Sequence, residues 1–196
     1  MQQAATQLRE AWLQEAASFL ADHMVKQGLP ATTARVSCGW PSRGGLSARQ
    51  AVIGQCFSPT ICRDGKPQIF ISPRLDDSLE VLGTLLHELV HASVGTDKKH
   101  GKVFSQAARK VGLTGPPTAT TVGDGLRPLF LSYIDRAGLY PHAAILPPHK
   151  EKAGSRLRLY ECSCEPVVKV RVASDRFQAR CEICDEVFTL VEPQEA

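Results

Sequence analysis

The stretch between residues 77 and 95 constrains the fold of this chain more than any other. Its apolar side chains recur at three- and four-residue steps: Leu79, Leu82, Leu86, Leu89 and Val90. This spacing predicts a helix with a wide apolar face. Asp76 or Asp77 suits a helix cap, and Gly95 suits a helix end. A helix this apolar belongs in a hydrophobic core, so the polar residues within it need a reason of their own.

Those polar residues form the string His87-Glu88-Leu89-Val90-His91. Helical residues four apart differ by about 40° around the axis and about 6 Å along it, so both imidazoles can reach one ion. A catalytic zinc ion takes three protein ligands and leaves its fourth position to water. Glu88 lies on the same helix face, slightly displaced, where its carboxylate can act on that water as a general base. The string therefore predicts a catalytic zinc site with Glu88 as its base.

Elimination reduces the number of residues that can supply the third ligand. The metzincin pattern is absent, because it needs a glycine where this chain has Val94 and a histidine where it has Asp97. The other common solution uses a downstream glutamate, and there is none between residues 89 and 150. The remaining candidates are His100, Asp97, His142, Asp124 and Asp135. His100 is the best placed of these, since it follows the expected helix end and opens the next helix.

Two cysteine pairs near the C-terminus predict a second metal site. They are Cys162-Ser163-Cys164 and Cys181-Glu182-Ile183-Cys184, with alternating valines between them. This arrangement is typical of a zinc ribbon, in which two turns supply four thiolates to one structural zinc ion. A module of about forty residues buries too little surface to fold by burial alone, so the ion would stabilise it.

The remaining patterns predict an α+β fold with a short sheet. The expected helices are about Gln7 to Gln27, Lys102 to Val111 and Leu129 to Ala137, and Thr114 to Pro128 is expected to be a loop. The expected strands are Arg35 to Trp40, Ala51 to Phe57 and Gln68 to Ser72, arranged as an antiparallel sheet. We expect a main domain over residues 1–146, a basic linker over 147–155 and the ribbon over 156–196.

Charge is distributed unevenly in a chain whose formal net charge is only +3. The segment from Lys150 to Arg180 contains eight basic residues and four acidic ones. These basic residues either contact single-stranded or double-stranded DNA or form an ordinary solvated face. They are Lys150, Lys152, Arg156, Arg158, Lys169, Arg171, Arg176 and Arg180. No stretch has the roughly 20 apolar residues of a membrane span, and no leader pattern opens the chain, so we expect a cytoplasmic protein.

A family resemblance follows from several of these motifs together. The chain resembles the SprT-like metallopeptidases, which include the Spartan proteases of DNA–protein crosslinks, and it looks most like members encoded in bacteriophage and prophage genomes. The resemblance covers roughly Val36 to the C-terminus. The motifs that carry it are His87-Glu88-x-x-His91, His100-Gly101-Lys102-x-Phe104, Ile69-Phe70-Ile71-Ser72-Pro73, Gly112-Leu113, Thr118-Ala119-Thr120-Thr121 and Tyr140-Pro141-His142-Ala143.

The resemblance implies a zincin-like domain in which His87, His91 and His100 hold the catalytic zinc and Glu88 is the general base. Zincin sites often add a tyrosine or histidine that stabilises the oxyanion, and Tyr140 and His142 are the candidates here. The expected activity is hydrolysis of protein substrates on or near DNA, in the host cytoplasm if the gene is a phage gene. Two alternatives remain: a phage-regulatory or nucleic-acid-binding protein without peptidase activity, and a self-cleaving regulator that responds to DNA damage.

Overall fold

A computed structural model describes residues 8–45, 51–146 and 157–192. The chain divides into two compact units, Met1–Pro147 and Pro148–Ala196. The described parts combine helices with small sheets, which confirms the α+β class.

The first described helix of the N-terminal unit is α1, Arg9–Lys26. It is followed by strands β1 (Arg35–Cys38), β2 (Gly54–Phe57) and β3 (Gln68–Ile71). The apolar stripe of α1 packs against the sheet side of the core, with Trp12 and Leu20 fully buried. Strand β3 is central in the sheet, so its inward-facing Ile69 and Ile71 are also fully buried. The three strands lie within the ranges that their β-branched and aromatic content predicts.

The expectation of an antiparallel sheet is wrong for one of its two strand pairs. The strand order is β1-β3-β2, with β2 antiparallel to β3 but β1 parallel to it, so that Val36 pairs with Ile69. Short turn-rich links favour antiparallel neighbours, but here β2 continues to the far edge and β3 returns between the two. Alternation of side chains shows which face of a strand is buried, and it does not show which strand lies next to it.

Helix α2, Ser78–Val94, has the bounds that the sequence predicts. The Asp77 carboxylate caps it by accepting a hydrogen bond of 2.8 Å from the backbone N–H of Glu80. At the other end, Gly95 adopts a φ of 98°, a conformation that glycine adopts without strain. The side chains of Val81, Leu82, Leu85, Leu86 and Val90 are fully buried, so α2 is a central element of the core.

The rest of this unit consists of helix α3 (Lys102–Lys110), strands β4 (Leu113–Thr114) and β5 (Thr121–Val122), and helix α4 (Arg127–Ala137). Short 3-10 turns precede α3 and α4. The region expected to be a loop therefore contains an antiparallel hairpin, β4 with β5, that contacts α2. No helix among the described residues combines the length and apolar character that crossing a bilayer requires.

The C-terminal unit contains strands β6 (Arg158–Glu161), β7 (Lys169–Val172) and β8 (Thr189–Leu190). They form an antiparallel sheet in the order β7-β6-β8. Its buried cluster consists of Cys162, Cys164 and Cys181, with Val168 and Phe188 packed against them. The first cysteine pair therefore lies in the connection between the two strands of the β6–β7 hairpin, and β8 adds a third short strand to that hairpin.

Candidate metal centres

Three histidines of the N-terminal unit converge on one point, which we call the histidine site. His87 and His91 project from one face of α2, and His100 arrives from the short segment between α2 and α3. The Nε2 atom of His100 lies 3.2 Å from that of His87 and 3.2 Å from that of His91. These nitrogens could hold a metal ion. Of the five candidates for the third ligand, only His100 joins the two helix histidines.

The backbone between α2 and α3 explains why His100 reaches the other two rings. After Gly95, a single 3-10 turn, Thr96–Lys98, reverses the chain. Lys99 then adopts a φ of 46°, and Gly101 is the N-cap residue of α3. The sequence predicted this turn from Gly95 and placed His100 at the start of the next helix.

One phenylalanine side chain packs against all three imidazole rings. Phe104 of α3 is fully buried, and its ring lies 4.1 Å from the His91 ring in a stacked arrangement. Its centroid is 4.8 Å from that of His87 and 5.1 Å from that of His100. Aromatic contacts of this kind restrict the planes of the three rings. Phe104 thus forms an apolar wall behind the histidine site.

Burial keeps the three imidazoles neutral. Desolvation, with His100 nearby, lowers the pKa of His87 to about 4. Desolvation together with His87 and His100 lowers the pKa of His91 to about 3, and desolvation lowers the pKa of His100 as well. Neutral rings have a free lone pair, so at neutral pH the site offers three nitrogen donors without prior loss of a proton.

Glu88 is buried beside the histidine site, with 6% of its surface exposed. Desolvation raises the pKa of its carboxyl group to about 8, and a hydrogen bond from the backbone N–H of Cys56 partly opposes this effect. Strand β2 can approach this carboxyl because residue 54 is a glycine. A Cβ atom on Gly54 would lie 2.7 Å from Glu88 Oε1 and 2.7 Å from Thr84 Cγ2.

A cleft of about 500 Å³ opens onto the three histidines and Glu88. One wall is strand β2 with the residues before it, and Thr118, Ala119 and Thr120 lie along another. Lys99 contributes a cationic side chain to the lining. Because β2 is an edge strand of its sheet, its outer backbone groups face away from β3. The site is thus open on one side and closed by the core on the other.

The structure does not bring Tyr140 and His142 to this cleft. The Tyr140 ring packs 5.1 Å from the Trp12 ring, and its backbone N–H donates to Ser78 Oγ. His142 places Nε2 at 2.9 Å from the carbonyl oxygen of Pro73 and Nδ1 at 3.2 Å from an Arg9 nitrogen. Neither residue lines the cleft. Both therefore act in packing and hydrogen bonding in this conformation, away from the histidine site.

Sequence reasoning gave no role to two residues that contact the site. Thr120 Oγ1 lies 2.8 Å from Nδ1 of His87. Gly54 permits the close approach of β2 to Glu88. Thr120 contributes to the family resemblance but lies in a region expected to be a loop, and Gly54 lies in an expected strand. The sequence around each position does not indicate which residue more than thirty positions away it contacts.

The four cysteines of the C-terminal unit form the second candidate centre, the cysteine site. Cys162 and Cys164 follow β6, and Cys181 and Cys184 lie in a second turn. Their four sulfur atoms could hold a metal ion, and Cys164 Sγ lies 3.6 Å from Cys181 Sγ. The predicted set of four is thus brought together, and all seven cysteines of the chain are free thiols.

Backbone groups in the second turn stabilise a thiolate at the cysteine site. Hydrogen bonds from the N–H groups of Cys184 and Ile183 lower the pKa of Cys181 to about 7. Hydrogen bonding with neighbouring thiols, that of Cys184 first among them, raises the pKa of Cys164. The turn is closed by the Asp185 N–H, which donates to the carbonyl oxygen of Cys181 at 2.8 Å. A metal ligand at Cys181 therefore loses its proton more readily than an ordinary thiol.

The basic residues predicted to contact DNA divide into three groups. Lys150, Lys152 and Arg156 lie outside the described residues. Two others form ion pairs, Lys169 with Glu161 and Arg180 with Asp185, and Arg158 donates to the carbonyl oxygen of Ala173. Arg171 and Arg176 are exposed and form no side-chain ion pair with another described residue. Among the described bases, these two are the most available for a phosphate.

Comparison with protein-family models, curated proteins and solved structures found no match to this chain. The class that the fold and the two sites define is an α+β protein with two candidate metal centres, one beside a cleft and one within a small sheet module.

Proposed function

We propose that this chain is a zinc-dependent endopeptidase of the SprT-like type, with a zincin-like N-terminal domain and a C-terminal zinc ribbon. One observation carries the proposal. The Nε2 atom of His100 lies 3.2 Å from the Nε2 atoms of His87 and His91. The three histidines and the buried Glu88 line one cleft. This is the donor set and the base that peptide hydrolysis at a zinc ion requires.

The donor spacing supports zinc as the ion in both sites. Nitrogen ligands at about 2.0 to 2.1 Å from a tetrahedral zinc ion lie about 3.3 Å from each other. The observed Nε2 separations are 3.2 Å. Thiolates at about 2.3 Å from such an ion lie about 3.8 Å apart, and the Cys164 and Cys181 sulfurs are separated by 3.6 Å. Three histidines leave the fourth position of the first site open, whereas four cysteines close the second.

A zinc ion in the histidine site would polarise a substrate carbonyl and lower the pKa of a water molecule. Glu88 would accept a proton from the attacking water and pass it to the leaving amine, as a general base and then a general acid. The raised pKa of Glu88 describes the site without a cation, and a divalent charge beside the carboxylate would lower it. The cleft beside edge strand β2 would hold the extended substrate chain.

The decisive experiment replaces the proposed base. Glu88→Ala and Glu88→Gln are expected to keep both zinc ions and to abolish cleavage of casein and of the chain itself. Glu80→Gln is the matched control, because Glu80 is an exposed glutamate of the same helix. Zinc content is measured by elemental analysis and cleavage by gel. A Glu88 variant that still cleaves at the wild-type rate would overturn the mechanism.

The association with DNA rests on the family resemblance and on the basic residues of the C-terminal unit. We propose that Arg171 and Arg176 contact phosphates and bring the catalytic unit to protein bound on DNA. Single-stranded DNA at low salt is then expected to increase the cleavage rate, and a double Arg171→Gln, Arg176→Gln variant is expected to lose the increase. Equal rates with and without DNA would remove this part of the proposal and leave the peptidase intact.

The second candidate is a nucleic-acid-binding or phage-regulatory protein without peptidase activity. The exposed Arg171 and Arg176, in the same unit as the four-cysteine site, favour it, because a ribbon can bind nucleic acid without any catalytic partner. The two candidates differ at Glu88, whose replacement leaves a pure binding protein unaffected. A self-cleaving regulator has the same catalytic residues and is recognised by autocleavage as the only detectable reaction.

A further inference from the structure

Thr120 contacts a ligand of the histidine site without belonging to the ligand set. Its Oγ1 atom lies 2.8 Å from Nδ1 of His87, while Nε2 of the same ring faces His100 at 3.2 Å. The hydroxyl and the proposed ion would therefore bind opposite edges of one imidazole. Among the described residues, the hydrogen bonds given by the rings of His91 and His100 involve Nε2 alone.

Packing alone does not decide which edge of the His87 ring faces the ion. The Phe104 ring restricts the plane of the imidazole from a centroid distance of 4.8 Å. A half-turn about the Cβ–Cγ bond keeps that plane but replaces Nε2 with a carbon atom at the metal position. An apolar neighbour hardly distinguishes these two orientations, whereas a hydroxyl group at Nδ1 does, since only one of them preserves the hydrogen bond.

The direction of the hydrogen bond follows from the ligand atom. A histidine that binds a metal through Nε2 keeps its proton on Nδ1, so the Nδ1–H of His87 donates and Thr120 Oγ1 accepts. We infer that Thr120 is a positioning residue of the histidine site, which holds His87 in the tautomer and orientation that bind the ion. The inference rests on the metal-binding part of the proposed function and is independent of peptidase activity.

The fold fixes Thr120 through the β4–β5 hairpin. Thr114 pairs with Thr121, with their hydroxyl oxygens 3.0 Å apart, and the Ala119 N–H donates to the Pro116 carbonyl at 2.9 Å. The hairpin approaches α2 at Gly83, where a Cβ atom would lie 2.8 Å from a methyl group of Val122. A glycine within a helix costs about 1 kcal/mol relative to alanine. Gly83 lies one turn before His87, so it lets the hairpin approach at the level of the metal site.

The test compares the zinc affinity of three variants of the full chain by competition with a chromophoric chelator. Thr120→Val keeps the shape of the side chain and removes the hydroxyl, and it is expected to weaken zinc binding by about 10- to 100-fold. Thr120→Ser restores the hydroxyl and is expected to stay within about threefold of wild type. Thr118→Val is the matched control, because Thr118 also lines the cleft but makes no contact with a histidine nitrogen.

Wild-type affinity in Thr120→Val, or an equal loss in Thr118→Val, would overturn the inference. A measurement on the unaltered protein covers the case in which Thr120→Val does not fold. In nitrogen-15 NMR spectra of the zinc-loaded chain, His87 is expected to show a slowly exchanging proton on Nδ1, and a proton on Nε2 would refute the assignment. A chain that binds zinc in this way but cleaves nothing would refute the peptidase and leave the role of Thr120 intact.

Discussion

The rings of the histidine site lie against a large hydrophobic core, whereas the cysteines of the C-terminal unit themselves make up most of its small buried cluster. The N-terminal unit buries a large set of apolar side chains from its helices and sheet, so we expect it to fold without an ion and to position the three histidines by that packing. The cysteine site has no comparable support. We therefore expect the fold to position the candidate ligands in the N-terminal unit, and a bound ion to hold the fold together in the C-terminal unit.

The largest effect on this contrast is expected from replacing one of the four cysteines. Cys181→Ser is expected to unfold the C-terminal unit, because binding of a structural zinc ion contributes about 10 kcal/mol or more to such a module. Both tryptophans, Trp12 and Trp40, belong to the N-terminal unit, so their fluorescence reports on that unit alone. We expect unchanged tryptophan fluorescence and a loss of dispersed C-terminal NMR signals. Cys62→Ser, outside both sites, is the control, and a folded C-terminal unit in Cys181→Ser would contradict the contrast.

The corresponding change at the histidine site is expected to remove the ion and leave the fold. His100→Ala removes a proposed direct ligand. It is therefore expected to weaken zinc binding by more than the roughly 100-fold loss that follows from removing a hydrogen-bond partner of a ligand. The metal-free melting temperature should stay close to wild type, because His100 is only half-buried. Differential scanning fluorimetry and metal analysis measure the two effects. His142→Ala is expected to retain zinc, and its loss of zinc would restore His142 as a candidate ligand.

The pH dependence of the metal-free protein tests the environment of Glu88. Its pKa rises from an ordinary 4.5 to about 8, so between these values the folded state keeps a proton that the unfolded chain releases. The free energy of unfolding therefore falls as pH rises through this window. Glutamine at this position does not titrate. The free energy of unfolding of Glu88→Gln minus that of wild type should therefore increase by about 2 kcal/mol from pH 5 to pH 7. Urea titrations followed by tryptophan fluorescence measure it, and a pH-independent difference would contradict the assignment.

The smallest expected effect concerns the approach of β2 to the base. Gly54→Ala would place a carbon atom 2.7 Å from Glu88 Oε1, so either the strand or the carboxyl group must shift. We expect a loss of about 1 kcal/mol or more in stability and a slower cleavage rate at saturating zinc. Gly125→Ala is the matched control, because a Cβ atom there meets nothing within 4 Å. Equal activity of the two variants would show that β2 does not position Glu88.

Sequence patterns predicted the parts of this protein that depend on local spacing. The bounds of α2, the convergence of His87 with His91, and the meeting of the two cysteine pairs all follow from residues close together along the chain. His100 was also found this way, because the turn after Gly95 is short. The metal-binding potential of both sites could therefore be predicted without coordinates.

The contacts that the sequence did not predict join distant segments. The parallel pairing of β1 with β3, the approach of Gly54 to Glu88 and the contact of Thr120 with His87 depend on how separate elements pack. Tyr140 and His142 have the right chemistry for an oxyanion contact, but Tyr140 packs against Trp12 and His142 hydrogen-bonds with Arg9, away from the cleft. Residue type identifies candidates, and only the tertiary arrangement selects among them.

The three nitrogen donors of the histidine site lie close together along the chain, whereas the groups around them come from distant segments. All three nitrogen ligands lie on the helical hairpin of α2 and α3, so capture of an ion requires order only over a short piece of chain. The surroundings of Glu88 depend on β2, and the proposed orientation of His87 depends on the β4–β5 hairpin, both from outside that piece. A preparation in which only α2 and α3 are correctly packed could still take up zinc. Stoichiometric metal in a purified sample is therefore an incomplete measure of native protein, and the environment of Glu88 should be assayed beside it.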